Sequence, residues 1–149
     1  LLAKIDNRQY GQMEDINLTR FLEEQASYLQ SITGDIFFYE ELTNSGLTVR
    51  ANRTLLESLV NNLVVNAVRY NRPGGEIYLT VSDRELTVSN TSDEPALDAR
   101  LIFNRFYHPS EKVKGNGLGL AIVRAICEYH GWTVGYQYRD GLHKFTVNF

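Results

Sequence analysis

The stretch RTLLESLVNNLVVNAVRYNR at positions 53–72 constrains this chain more than any other. Leu55, Leu56, Leu59, Leu63, Val64 and Ala67 recur at helical spacing and form a wide apolar surface that must be buried against a second layer. Asn62 and Asn66 stand four apart, with Arg69 three further on, so all three share one face of that helix. Asparagine is a poor interior helix former, because its amide competes for backbone hydrogen bonds. Two on one stripe of so apolar a helix need a reason. One reason is bland: a solvated face, or buried amides satisfied by neighbours. The other is a row of ligands. Amide oxygens are hard neutral donors that suit magnesium, and the Arg69 guanidinium suits phosphate. Spacing alone leaves both open.

The rest of the chain supplies the second layer. Residues 17–32 carry Leu18, Phe21, Leu22, Ala26 and Leu29 at helical spacing, and Gly34 ends that helix. Residues 35–42 are aromatic-rich and read as a strand, followed by an Asn44-Ser45-Gly46 turn and a short strand over 47–51. Asn52 is placed to cap the central helix, and Arg72-Pro73-Gly74-Gly75 ends it. Strands over 76–82 and 85–90 form a hairpin around Asp83-Arg84, and strands over 132–138 and 142–149 form another around Asp140-Gly141. A further helix covers 120–130. Residues 91–114 show little periodicity beyond one short turn near 101–106, and a loop this long in a small domain is usually a functional lid or disordered. The tally predicts an α+β fold: a two-layer α/β sandwich, with about three helices on one face of a mixed, mostly antiparallel sheet.

Composition narrows the function. The 149 residues fit one domain, and a net charge of −3 gives no basic field for nucleic acid or an anionic membrane. A bound anion must therefore be held by local geometry. The single cysteine, Cys127, lies in the apolar segment AIVRAICEYHGW and reads as a small buried hydrophobe rather than part of a disulfide framework. No apolar run approaches the roughly 18 residues of a membrane span, and no signal peptide opens the chain. The first residue is Leu rather than Met, which suggests a piece of a longer protein.

The second chemical signal is Gly115-Asn116-Gly117-Leu118-Gly119-Leu120, which opens the 120–130 helix. Glycines let backbone approach a ligand closely, and a helix N-terminus offers unpaired N–H groups to phosphate. The segment is neither a P-loop nor a dinucleotide fingerprint, since GxxxxGK[ST] is absent and no strand directly precedes it. Alone, it is equally a flexible hinge.

Order and distance join the two signals. NNLVVNAVRYN, then IFNRFYHPSEK, then GNGLGLAIVRAICEYHG resemble the N box, F box and second glycine box of the GHKL ATPases. The likeness is to the ATP-binding catalytic domain of bacterial sensor histidine kinases in particular, and it spans about residues 14–149. It implies the Bergerat (GHKL) fold, ATP and Mg2+ as ligands, and a catalytic domain over residues 11–149 with an ATP lid at about 91–114. Residues 1–10 resemble the tail of a preceding dimerisation helix. By position, the resemblance makes Asn66 the magnesium ligand and Asn62 a phosphate contact. Arg69 becomes a basic group near phosphate and Tyr70 an aromatic beside the nucleotide. Gly115, Gly117 and Gly119, with Asn116, Leu118 and Leu120 between and after them, form the backbone facing the phosphates. Phe103 and Phe106 match the aromatics that anchor the lid, a role compatible with plain core packing.

Departures from the family pattern accompany the matches. The first glycine box normally reads DxGxG, its Asp accepting from the adenine amino group. Here Asn90-Thr91-Ser92-Asp93-Glu94 stands there, with an uncharged acceptor and no glycine. Losing charge assistance is worth about 1 kcal/mol. His108 follows Tyr107 where the F box often has Arg, so either Lys112, Lys114 or Arg105 neutralises phosphate or these residues are simply solvated and the neutralisation is weaker. None of His108, His130 and His143 has the helical His-carboxylate setting of a phosphoacceptor. The resemblance therefore implies a domain that donates the γ-phosphoryl to a histidine on a separate dimerisation domain, and that works with a response regulator receiver domain. It implies a cytoplasmic domain without membrane contact of its own, in a parent anchored in the inner membrane. The altered first box motivates the alternative, a degenerate nucleotide-binding or nucleotide-free signalling module.

Overall fold

The computed structural model describes residues 2–6, 11–107 and 117–149. In chain order the elements are α1 (Leu2–Asp6), β1 (Glu14–Asn17), α2 (Leu18–Thr33), β2 (Phe37–Leu42), β3 (Thr48–Ala51), α3 (Arg53–Arg69), β4 (Glu76–Ser82), β5 (Glu85–Asn90), α4 (Gly119–His130), β6 (Thr133–Arg139) and β7 (Leu142–Asn148).

Helix limits follow side-chain chemistry. Asn17 Oδ1 accepts from the Arg20 N–H at 2.9 Å and starts α2, while Gly34, at φ +62°, ends it. Asn52 Oδ1 does the same for α3, accepting from the Leu55 N–H at 3.0 Å. Both hairpins turn on residues with positive φ: Asp83 at 53°, Asp140 at 55° and Gly141 at 76°.

The main sheet runs β2-β4-β5-β7-β6. Only β2–β4 is parallel, because α3 carries the chain across between them. Alternation sorts the faces. Ile77, Leu79, Val81, Leu86, Val88, Phe145 and Val147 point inward and are buried, together with Leu55, Leu56, Leu59, Leu63 and Val64 of α3. Leu120, Val123, Ile126 and Cys127 complete the core from α4. The opposite face carries Tyr78, Thr80, Thr87, Lys144 and Thr146, with exposed Phe37 and Tyr39 on β2, and no helix among the described residues covers it.

The fold expected from the sequence is present: a two-layer α/β sandwich with three substantial helices, plus the short α1. Two details differ. The strand over 48–51 does not join the main sheet but pairs with β1 in a separate two-stranded ribbon. β1 itself escaped the sequence reading, because four residues, Glu-Asp-Ile-Asn, are too few for an alternation to show. Cys127 is buried, and its thiol is pushed up to about 12 by burial first and Glu128 second, so it is the inert hydrophobe expected.

Candidate functional site

α3 and the start of α4 lie side by side, and this brings the two chemical signals together. A Cβ added at Gly119 would stand 3.3 Å from Asn62 Oδ1. The Asn62 amide therefore faces the first turn of α4, where no side chain caps the helix. The Asn62 Nδ2 group donates to Ser58 O at 2.8 Å and Ser58 Oγ at 3.2 Å, which fixes the amide and presents its oxygen outward.

One turn further on, Asn66 is buried and its Nδ2 has no hydrogen-bond partner among the described residues. An unpaired buried amide costs about 1–3 kcal/mol, a price that evolution accepts where a ligand supplies the partner. A phosphate oxygen would satisfy Nδ2 and leave Oδ1 for a cation. Arg69, exposed, and Tyr70, 8% exposed, follow on the same helix end. Burial pushes the Tyr70 phenol up to about 12, with Tyr107 and Glu94 adding to it and Arg69 opposing, so the ring stays neutral.

The facing wall is the end of β5. Asn90 is fully buried; its Nδ2 donates to Thr91 O at 3.0 Å, while its Oδ1 has no partner among the described residues. The internal bond fixes which atom is left over, and it is an acceptor. A cleft of about 390 Å³ beside it is lined by Arg69, Tyr70, Asn71 and Arg72 on one side and Ser92, Asp93, Glu94 and Pro95 on the other. Its floor is braced by Thr91 Oγ1, which donates to Asn71 Oδ1 at 2.7 Å and accepts from the Glu76 N–H at 2.8 Å. Sequence reasoning missed Asn71 and Thr91. Their pairing spans twenty positions and no local pattern announces it. A larger groove, about 440 Å³, lies between α2 and α3 and includes Tyr28 and Asn61. There the Tyr28 hydroxyl already donates to Asn61 Oδ1 at 3.1 Å, and no unpaired buried polar group points in.

Phe106 and Gly117 form a neck: the Phe106 N–H donates to Gly117 O at 2.8 Å. Gly117, at φ +70°, allows it: a Cβ there would stand 2.5 Å from the Phe106 Cα. Phe103 is 8% exposed and meets Phe145 edge-on at 6.1 Å, so its ring packs in the core. Phe106 is 67% exposed at φ +61°; its backbone, not its ring, secures the neck, and core packing does not extend to it. Leu120 is buried at the first turn of α4, and Leu118 occupies its N-cap position. Lys112, Lys114, Gly115, Asn116 and His108 lie outside the described residues.

Fold and site together define an ATP-binding domain of the α/β-sandwich class, with an amide-bearing helix opposite a glycine-rich helix start. A family model described as histidine kinase-, DNA gyrase B-, and HSP90-like ATPase matches residues 51–149, and the chain belongs to that family. Within it, this is the ATP-binding catalytic domain of the sensor histidine kinase type. The heme sensor protein HssS of Staphylococcus saprophyticus is 32% identical over 158 residues, covering 100% of this chain and 34% of the relative. The chain thus spans about a third of the length of the curated relatives it matches. The nucleotide-free catalytic domain of histidine kinase ThkA superposes with a TM-score of 0.78 at 28% identity, covering 92% of this chain and 96% of that one. ThkA in complex with the response regulator protein TrrA matches with a TM-score of 0.74 at 25% identity, over 98% of this chain and 45% of that one.

Proposed function

We propose that this domain binds Mg-ATP between α3 and the start of α4 and donates the γ-phosphoryl to a histidine on a dimerisation domain of the same protein. The observation that carries this is the Asn62 oxygen set against the glycine start of α4, with the Asn66 amide unpaired one turn away. Both are costly inside a helix and gain a purpose from a metal-bound triphosphate. Asn66 and Asn62 are the side chains suited to hold Mg2+ and phosphate; bound, the ion neutralises phosphate charge. Arg69, with Lys112 and Lys114, adds positive charge. The backbone over 115–120 offers N–H groups, Tyr70 flanks the nucleotide, and Asn90 Oδ1 accepts from the adenine amino group. Catalysis of this kind is mostly positioning and charge stabilisation, which these groups supply.

Neither His130 nor His143 fits the role of acceptor. Each is partly or fully buried and already hydrogen-bonded through both ring nitrogens. His108 lies outside the described residues and has no helical His-carboxylate setting in the sequence, so the acceptor is assigned to the dimerisation domain, whose tail residues 1–10 resemble. A response regulator receiver domain is the downstream partner, as ThkA's complex with TrrA supports. Among the described residues no helix is long and apolar enough to cross a membrane. A cytoplasmic position in a membrane-anchored parent is part of this reading.

Calorimetry with Mg-ATP and Mg-ADP tests it. Micromolar binding that is lost in Asn66→Ala supports the kinase reading. No binding at millimolar nucleotide instead favours a nucleotide-free signalling module, for which the altered box at Asn90–Glu94 is the motive. Transfer of labelled phosphate onto this domain alone would contradict the assignment of the acceptor to another domain.

A further inference from the structure

The segment after β5 lacks the glycines that shape it in the family pattern, yet two side chains of the sheet hold it in place. His143 occupies an inward position on β7, 1% exposed and register partner of Asn90. Its Nε2 lies 3.1 Å from Glu94 O and its Nδ1 2.8 Å from the Tyr136 hydroxyl on β6. That hydroxyl lies 2.9 Å from the Leu97 N–H.

The proton positions follow by elimination. A backbone N–H only donates, so Tyr136 Oη accepts from Leu97. A backbone carbonyl only accepts, so Nε2 carries the proton given to Glu94 O. In the neutral ring that burial favours, Nδ1 is then bare and accepts from Tyr136, so the chain Leu97 N–H to Tyr136 to His143 to Glu94 O runs one way. It clamps both ends of the 94–97 segment. Ser92 to Pro95 of the same stretch line the cleft opposite Arg69 and Tyr70.

We propose that Tyr136 and His143 are positioning residues for the nucleotide wall, a proton-ordered clamp that sets the 92–97 segment in place of the missing glycine turns. The proposal rests on the nucleotide-binding reading above. Protonation of His143 at Nδ1 replaces the acceptor of the Tyr136 proton with a donor: the phenol oxygen must then take both N–H groups while its own proton loses its partner, which weakens the clamp. The groups facing the ring are Tyr136 and Tyr138 from β6, Glu94 from the segment itself and the uncharged Asn90 from β5. Burial holds the His143 pKa below its ordinary value, with Glu94 opposing, which keeps the clamp closed near neutrality.

The test uses the domain with and without Mg-ATP. In the free protein at about pH 7, nitrogen NMR should show a neutral His143 with its proton on Nε2, and Tyr136→Phe should strip exchange protection from the Leu97 amide while the Val88 amide keeps its own. Tyr136→Phe should weaken Mg-ATP binding about fivefold. The ratio of wild-type to His143→Gln affinity should fall as pH drops, because the nucleotide's own phosphate titration is common to both proteins. An Nδ1-protonated ring at neutral pH, unchanged Leu97 exchange, or a pH-independent ratio overturns the proposal. If wild type binds and Tyr136→Phe binds equally well, positioning fails alone; if wild type binds no nucleotide, positioning fails together with the function beneath it.

Discussion

The two sides of the proposed site reach a similar result by different means. The α3 wall is local: Asn62, Asn66 and Arg69 share one helical face with Tyr70 as the C-cap, and Arg69 and Tyr70 line the cleft. The β5 wall is assembled from distant parts. Asn90 and the 91–97 segment are fixed by Asn71, Glu76, Tyr136 and His143, drawn from both sides of the sequence. A helix wall tolerates drift elsewhere as long as its repeat survives. A wall of long-range hydrogen bonds can lose its glycines and still be held, provided new partners appear across the sheet. The α3 side is thus written in one motif, and the β5 side in pairings.

Substitutions can break this contrast in order of size. The largest effect is expected for Asn66→Ala on the helical wall. Mg-ATP affinity should fall at least about thirtyfold, roughly 2 kcal/mol, while apo stability holds or rises slightly because an unpaired buried amide is removed. Calorimetry beside a urea titration reads both; loss of stability in step with affinity would make Asn66 merely structural. Gly117→Ala comes next. A side chain at φ +70° costs about 1–2 kcal/mol before its contact with Phe106 is relieved, so the melting temperature should drop by several degrees and the Phe106–Gly117 neck should loosen.

Asn90→Asp sharpens the comparison on the assembled wall. Restoring the family's charged acceptor removes the Nδ2 donor to Thr91 O and sets a carboxylate oxygen against that carbonyl. The expected outcome is a loss of about 1–2 kcal/mol in apo stability by urea titration rather than a simple gain in affinity. A stable variant with tighter Mg-ATP binding would show that the wall readjusts freely.

The smallest effect concerns pH. His130 accepts from the Asn52 N–H through Nε2 at 3.2 Å and donates from Nδ1 to Ile126 O at 2.7 Å, so it too is held neutral. Burial lowers both folded histidine pKa values below the ordinary 6.5. The unfolded chain takes up protons near 6.5 before the folded chain does, so the stability these rings contribute is complete above 6.5 and declines as pH falls toward the folded values. The urea midpoint should be lower at about pH 5.5 than at about pH 7.5, with a shallower slope in His130→Gln. A flat profile would mean that both rings accept protons without loss.

Legible in the sequence were the three long helices, the cap at Asn52, both hairpins, the core face of α3, and the asparagine and glycine segments that the fold sets side by side. Each of these depends on a local repeat or a turn chemistry confined to a few residues. The sequence did not reveal the β1–β3 ribbon, the backbone role of Phe106, or the partners of Asn90's neighbourhood. Those depend on which strands become neighbours, and His143 shows why: a histidine in a strand reads as an ordinary polar residue until β7 pairs with β5 and turns it inward beneath Glu94. Local periodicity fixes which face a residue occupies; only the packed sheet decides what that face meets.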